Sequence, residues 1–181
     1  PRIRRGADVQ HITRRDPGGL AELLTAVLEQ SLLPDAVLVL DRTPPGSPAA
    51  GTVSEVVDQA RSSTRVPIAI TPGDQRSPVR TVIHRALLDQ PDPTTLAWLL
   101  PVGTTPETGA LVALVDDWRR SPSTGILGPK HVDAEHPNLL QGLSIRTTRG
   151  GRLLPRPAPG EPDQGQYDRL SDGLAVPLPG S

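Results

Sequence analysis

Apolar residues recur at helical spacing in four separate segments of the chain. The first segment follows Asp16-Pro17, a pair typical of a helix N-cap with proline in the first turn. Its apolar positions are Leu20, Leu23, Leu24, Val27 and Leu28. Similar stripes cover residues 53–60, 79–87 and 111–118, with starts expected at Ser77-Pro78 for the third and Thr105-Pro106 for the fourth. This periodicity predicts four amphipathic helices.

Short apolar runs separate the predicted helices. The segments predicted as strands are residues 9–13, 36–40, 66–70, 95–100 and 124–127. The run at residues 36–40 is continuously apolar, which is typical of a strand buried on both faces. Strands that alternate with helices predict an α/β fold, with a Rossmann-like, mostly parallel sheet flanked by helices and right-handed crossovers. The pattern does not fix the order of the strands in the sheet.

The pattern changes after the last predicted parallel strand. Residues 141–146 alternate as a strand, residues 149–152 predict a turn, and Leu153-Leu154 predict an antiparallel return. A polar loop rich in proline and glycine is expected over residues 155–169, before a last apolar stretch at 174–178. We therefore expect a Rossmann-like nucleotide-binding domain at 1–130. Residues 131–181 then form an antiparallel hairpin extension of that domain, which we expect to be truncated.

Composition narrows the class of protein. The 22 prolines and 17 glycines indicate long loops, and the aromatic content of 2% leaves an aliphatic core. The absence of cysteine excludes disulfides and Cys-ligated zinc. A net charge of -1 does not favour nucleic acid as a partner. We find no signal peptide or membrane span, and a start at Pro1 suggests a trimmed product or a piece of something longer.

Candidate ligand-binding residues follow the predicted strands, because ligands of open parallel sheets bind at the carboxyl ends of the strands. Asp41 directly follows a buried strand, where its carboxylate can accept hydrogen bonds from a base or a ribose. The alternative is that Asp41 caps a turn or a helix. Arg14 and Arg15 follow the first strand and are either phosphate contacts or part of a solvated loop.

The remaining motifs do not indicate a catalytic or metal site. The chain contains no GxGxxG after its first strand, no GxxxxGK[ST] and no GxSxG, which argues against dinucleotide oxidoreductases, P-loop enzymes and serine hydrolases. His131, Asp133 and His136 form an imidazole–carboxylate cluster whose spacing fits no metal motif. We interpret this cluster as a polar loop and Asp116-Asp117 as a solvated helix face.

Several spaced segments resemble one enzyme family. They are residues 28–41 (Leu-Glu-Gln-Ser-Leu-Leu-Pro-Asp-Ala-Val-Leu-Val-Leu-Asp), Trp98-Leu99-Leu100 with the later Pro106, residues 125–130 (Gly-Ile-Leu-Gly-Pro-Lys), and residues 163–168 (Asp-Gln-Gly-Gln-Tyr-Asp) followed by Leu174-Ala175-Val176. In this order they are similar to segments of family 2 glycosyltransferases, over about residues 9 to 181. In that family a segment running from a glutamine to a proline leads into an apolar strand and an aspartate.

The resemblance implies a GT-A fold and transfer of a sugar from a nucleotide-sugar donor to a cell-envelope glycan or a lipid-linked acceptor. Asp41, Arg14 and Asp74 would then bind the nucleotide, with Arg76 and Lys130 as diphosphate contacts. The family uses manganese or magnesium held by an Asp-x-Asp-like pair. The corresponding residues 101–105 contain no carboxylate, although a hard divalent cation needs oxygen ligands.

Three hypotheses remain open at this stage. The chain is the donor half of an active glycosyltransferase, or a degenerate glycosyltransferase domain that binds a protein partner, or an unrelated doubly wound domain such as a small-ligand sensor. Under the first two, the domain is expected in the cytoplasm, at the inner face of the membrane as part of a larger protein. No catalytic residue is predicted, because the family's catalytic-base region would begin where this chain ends.

Overall fold

The computed structural model describes residues 7–11, 17–44, 46–73, 76–88, 96–120, 127–142, 144–147, 153–156 and 160–167. Within these residues the chain is a mixed α/β protein with four helices. It divides into two compact units, Pro1–Leu111 and Val112–Ser181. In the part that the structure describes, no helix is long and apolar enough to cross a membrane.

Strands and helices alternate through the first unit, as the hydrophobic pattern predicts. The elements are β1 (Ala7–His11), α1 (Pro17–Leu28), β2 (Ala36–Asp41), α2 (Pro48–Ser63), β3 (Ile68–Pro72), α3 (Val79–Leu88), β4 (Trp98–Pro101) and the start of α4 (Ala110–Arg120). The four strands predicted in this region are present, with bounds that differ by a few residues.

The four strands form one parallel sheet in the order β3-β2-β1-β4. The chain moves outward from β1 through β2 to β3, and then crosses back to place β4 on the free side of β1. His11 pairs with Leu40 on one side and with Pro101 on the other, so the three strands are level at their carboxyl ends. This arrangement confirms the predicted parallel sheet and gives the strand order.

Helices cover both faces of the sheet. The face with Leu38 and Leu40 packs against α3, which contributes Ala86 and its neighbours Val82 and Ile83 to this cluster. Helices α1 and α2 lie side by side. Because their crossovers run in the direction opposite to that of α3, right-handed connections require them on the other face of the sheet. Leu20, Leu23, Leu24 and Val27 of α1 are fully buried, which confirms the predicted apolar stripe.

Helix boundaries follow local chemistry. The side chain of Ser47 caps α2 by accepting a hydrogen bond from Ala50 N at 3.3 Å, with Pro48 in the first turn. The predicted start of α4 at Thr105-Pro106 is wrong, because the helix begins at Ala110. The preceding residues form turns instead, including a hydrogen bond from Ala110 N to Glu107 O at 2.9 Å.

The second unit contains short antiparallel strands. Strands β5 (His131–Val132), β6 (Leu139–Gly142) and β9 (Glu161–Pro162) form a sheet in the order β5-β6-β9. Strands β7 (Ser144–Thr147) and β8 (Leu153–Arg156) pair as an antiparallel hairpin, which confirms the predicted return strand.

Two sequence-based expectations for the second unit are wrong. A single strand over residues 141–146 is instead divided between β6 and β7, which belong to different sheets. The division follows Gly142, in accordance with the low strand propensity of glycine. The expected loop at 155–169 contains the end of β8 and all of β9. The strand predicted at 124–127 lies outside the described residues, apart from Leu127, which is not in a strand. The apolar stretch at 174–178 also lies outside the described residues.

Candidate functional site

The carboxyl ends of the parallel strands bring the main candidate residues to one edge of the sheet. Asp41 ends β2, and the segment 101–105 begins at the last residue of β4. Only β1 lies between these strands, so their backbones are about 10 Å apart. The two segments therefore lie at the same edge of the sheet. Arg14 and Asp74, both predicted nucleotide contacts, lie outside the described residues.

Asp41 organises the turn that follows β2. Its Oδ1 accepts hydrogen bonds from Thr43 N at 2.8 Å and from Thr43 Oγ1 at 2.7 Å. The backbone carbonyl of Asp41 accepts a further bond from Gly73 N at 2.6 Å, which ties the end of β2 to the end of β3. Within the described residues, Oδ2 of the half-buried carboxylate has no hydrogen-bond partner. The turn cap given as the alternative role of Asp41 is thus present, and Oδ2 has no protein donor within the described residues.

Arg42 clasps the neighbouring loop across Gly73. Its Nη2 donates to the carbonyl of Ser77 at 2.7 Å, just before α3. A Cβ at position 73 would lie 2.7 Å from Arg42 Cγ, so only glycine allows the arginine stem to pass this closely. Arg42 was not predicted as a site residue, and its position directly after Asp41 is the one signal in the sequence that could have indicated it.

A small cavity opens between the end of β3 and α3. Its volume is about 70 Å³, and its walls include Thr71, Gly73, Ser77, Thr81 and Arg85. Sites for small organic ligands usually measure about 300–1,000 Å³. The cavity is therefore too small for a whole nucleotide sugar and suits a few water molecules or one small group.

The segment after β4 forms a tight turn. Gly103 has a φ of 93°, as the third residue of a type II turn requires, and Thr104 N donates to Pro101 O at 3.3 Å. The Thr104 hydroxyl donates to the same carbonyl at 2.7 Å. The hydroxyl proton of Thr104 is therefore engaged in a hydrogen bond within the turn. Across the described ranges, no three His, Asp or Glu side chains lie close enough together to hold a metal ion.

Gln30 positions the backbone beyond this turn. It is the only buried polar side chain in the described part of the chain, with 4% exposure. Its Nε2 donates to Glu107 O at 2.8 Å and to Ala26 O at 3.1 Å, while Oε1 accepts from Leu111 N at 3.0 Å. Gln30 therefore caps the first turn of α4 from another element. The resemblance includes this glutamine, but no role was predicted for its side chain.

The two predicted diphosphate contacts differ in their surroundings. Arg76 lies exposed in the connection between β3 and α3, at the carboxyl edge. Lys130 belongs to the second unit, where its Nζ lies 2.6 Å from Asp163 Oδ2. The hydrogen bond from Lys130 holds the pKa of the Asp163 carboxyl below its ordinary value. The charge of Lys130 is thus balanced by a carboxylate, which weakens the case for a diphosphate contact.

The cluster around Asp133 is a hydrogen-bonded surface turn. Asp133 Oδ1 accepts from His136 N at 2.8 Å and Glu135 N at 3.0 Å, and Oδ2 accepts from Gln141 Nε2 at 2.6 Å. These bonds, above all the one from His136 N, lower the pKa of Asp133. Burial lowers the pKa of His131, whose Nε2 is buried without a hydrogen-bond partner. Asp133 and His136 therefore lie in a polar turn, as interpreted from sequence, whereas His131 lies in strand β5.

Asp116 and Asp117 pair with arginines one helical turn later. The partners are Arg119 and Arg120, at 2.9 and 2.7 Å. All four side chains are at least 42% exposed, which agrees with a solvated helix face.

Comparison with known proteins adds no assignment. No protein-family model matches this chain, and no curated protein matches it either. The case for a function therefore depends on the sheet edge itself.

Proposed function

We propose that this chain is a glycosyltransferase-like domain of the family 2 type, which holds a nucleotide-sugar donor at the carboxyl edge of its parallel sheet. The strand order β3-β2-β1-β4 carries this proposal. Open α/β sheets bind their ligands where the strand order reverses, which here is the crevice beyond β1 and β4. A nucleotide-sugar donor would also place the domain in the cytoplasm.

Asp41 is the proposed nucleotide contact. Its Oδ1 is occupied by the two bonds from Thr43, whereas Oδ2 has no protein donor in the described residues. That oxygen is suited to accept a hydrogen bond from a base N–H or a ribose hydroxyl. An acceptor that is ionised forms hydrogen bonds roughly twice as strong as a neutral one. Asp41 would therefore contribute both affinity and orientation.

Residues 101–105 contain no carboxylate to hold a metal ion, so the positive charge that binds the diphosphate must come from side chains. Arg76 is the described cation that follows β3 at this edge, and Arg14 follows β1 in the sequence. Arginine matches the geometry of phosphate oxygens because it offers a planar fork of donors. We therefore propose binding that does not depend on manganese or magnesium.

A degenerate domain is the second candidate, favoured by the turn at 101–104. The Thr104 hydroxyl donates to Pro101 O within this turn. Residues 101–105 also contain no carboxylate for a metal ion, at the position where the family binds one. Such a domain would keep the sheet and bind a protein partner instead of a donor. It would not transfer a sugar, because residues 101–105 supply no carboxylate to hold a metal ion on the leaving diphosphate.

Calorimetric titration of the whole chain with UDP and GDP, each with and without manganese, tests these proposals. The key variant is Asp41→Asn, which preserves an Oδ1 acceptor for Thr43 and removes the charge. Asp35→Asn is the matched control, because Asp35 is exposed at the opposite end of the same strand. Circular dichroism checks that each variant is folded.

The outcomes separate the candidates. Metal-independent binding that Asp41→Asn weakens at least tenfold, and Asp35→Asn leaves unchanged, supports the proposed donor site. Binding that requires manganese would contradict the proposal of a cationic diphosphate site. Absence of binding by a folded chain would favour the degenerate domain, and binding that ignores Asp41→Asn would remove Asp41 from the site.

A further inference from the structure

The outer edge of β3 is a row of backbone groups with no strand beside it in the described residues. Pro67 O accepts from Val37 N at 2.8 Å and so faces β2. Backbone groups alternate along a strand, so those of Ile68 and Ile70 point away from the sheet. An edge of this kind can accept a further strand.

The sequence of β3 favours self-association through this exposed edge. Ile68-Ala69-Ile70-Thr71 combines β-branched residues with no charge. Segments with high β-propensity and low charge associate readily with copies of themselves. A second copy of β3 is therefore the most suitable occupant of this edge.

One arginine closes the edge. Arg61, in the last turn of α2, donates from Nε to Ile68 O at 2.9 Å. Its Nη1 lies 2.8 Å from Asp58 Oδ1, and this ion pair holds the guanidinium in place. At the other end of the strand, Pro72 has no N–H to offer a partner. Between the Ile68 carbonyl and Pro72, only the backbone groups of Ile70 face outward without a partner among the described residues.

We propose that Arg61 guards the outer edge of β3 against pairing with β3 of a second copy. The guanidinium occupies the Ile68 carbonyl that an incoming strand would need as an acceptor. This role is independent of the proposed nucleotide site, which lies at the carboxyl edge and not at the side of the sheet.

Replacement of Arg61 by methionine tests the proposal. Arg61→Met keeps a long unbranched side chain with similar helix propensity and removes the donor and the charge. Arg119→Met is the matched control, since Arg119 also lies in the last turn of a helix and pairs with an aspartate three residues earlier. Their side-chain exposures are 43% and 46%. Light scattering after size exclusion, over a series of concentrations, gives the mass of each variant.

We expect the mass of Arg61→Met to rise with concentration toward twice that of the chain, while Arg119→Met stays with the unsubstituted protein. Hydrogen exchange at Ile70 N–H should slow in the associated form. Addition of Ala69→Lys, at an exposed position of β3, should restore the original mass by charge repulsion.

Two results would overturn the inference. One is an Arg61→Met protein whose mass equals that of Arg119→Met at every concentration. The other is association that Ala69→Lys does not reverse or that leaves Ile70 N–H exchange unchanged, since it would then involve misfolding or another surface.

Discussion

Replacement of Gln30 by leucine should destabilise the first unit by about 1.5–4.5 kcal/mol. Leucine fills nearly the same space, so the loss comes from hydrogen bonds and not from a cavity. Leu111 N is buried and would lose its acceptor, at a cost of about 1–3 kcal/mol for an unsatisfied buried donor. Glu107 O keeps its bond from Ala110 N, so the lost bond from Gln30 costs only about 0.5–1.5 kcal/mol.

Urea denaturation followed by the fluorescence of buried Trp98 measures this change. Thr25→Ala is the control, because it removes an exposed hydrogen bond from Thr25 to Ala21 O within α1. This variant should alter stability by less than about 0.5 kcal/mol. Hydrogen exchange at Leu111 should also become faster in Gln30→Leu. A stability within about 0.5 kcal/mol of the unsubstituted protein would refute the reasoning that Gln30 holds the start of α4.

Three further predictions concern single contacts. Gly73→Ala should lower the free energy of unfolding, measured by urea denaturation, by about 1–3 kcal/mol, because the new Cβ would clash with Arg42 Cγ. The loss should be much smaller when Arg42→Ala is also present, and additive effects of the two substitutions would contradict the close approach. Because burial lowers the pKa of His131, the unfolded chain binds the proton first, and stability should fall as the pH drops below 6.5. His131→Leu should flatten that part of a pH–stability curve, and an unchanged slope would exclude His131 as its source. Lys130→Met should raise the pKa of Asp163, measured by carboxyl NMR titration, and an unmoved titration would contradict the ion pair.

The parallel sheet was predictable because its strands and helices have different periods. The continuous apolar run of β2 and the three-to-four residue spacing of α1 carry strong signals. Strand order was not predictable, since hydrophobicity alone does not state which edges meet. The start of α4 was misplaced because Pro106 is typical of a first helical turn, whereas a glutamine 77 residues away from Glu107 determines where the helix begins.

The sequence predicted only those parts of the candidate site that lie at the ends of strands. The position of Asp41 after a buried strand placed it at the correct edge of the sheet. The clasp of Arg42 over Gly73 was not foreseen, because it depends on a close approach between two loops that are distant in sequence. The partner of Lys130 was equally hidden, as Asp163 lies in a segment expected to be an irregular loop.

The central place of β1 has a consequence for the order of folding. Ala7 pairs with Ala36, but Asp8 also pairs with Trp98, so one flank of β1 is completed only after most of the first unit has been synthesised. Contacts between such distant segments slow folding, because a long loop must close before they form. Until then the open flank of β1 is a bare strand edge within a nascent three-stranded sheet. Substitutions that weaken β4 should therefore trap this partly assembled sheet and lower the yield of folded protein.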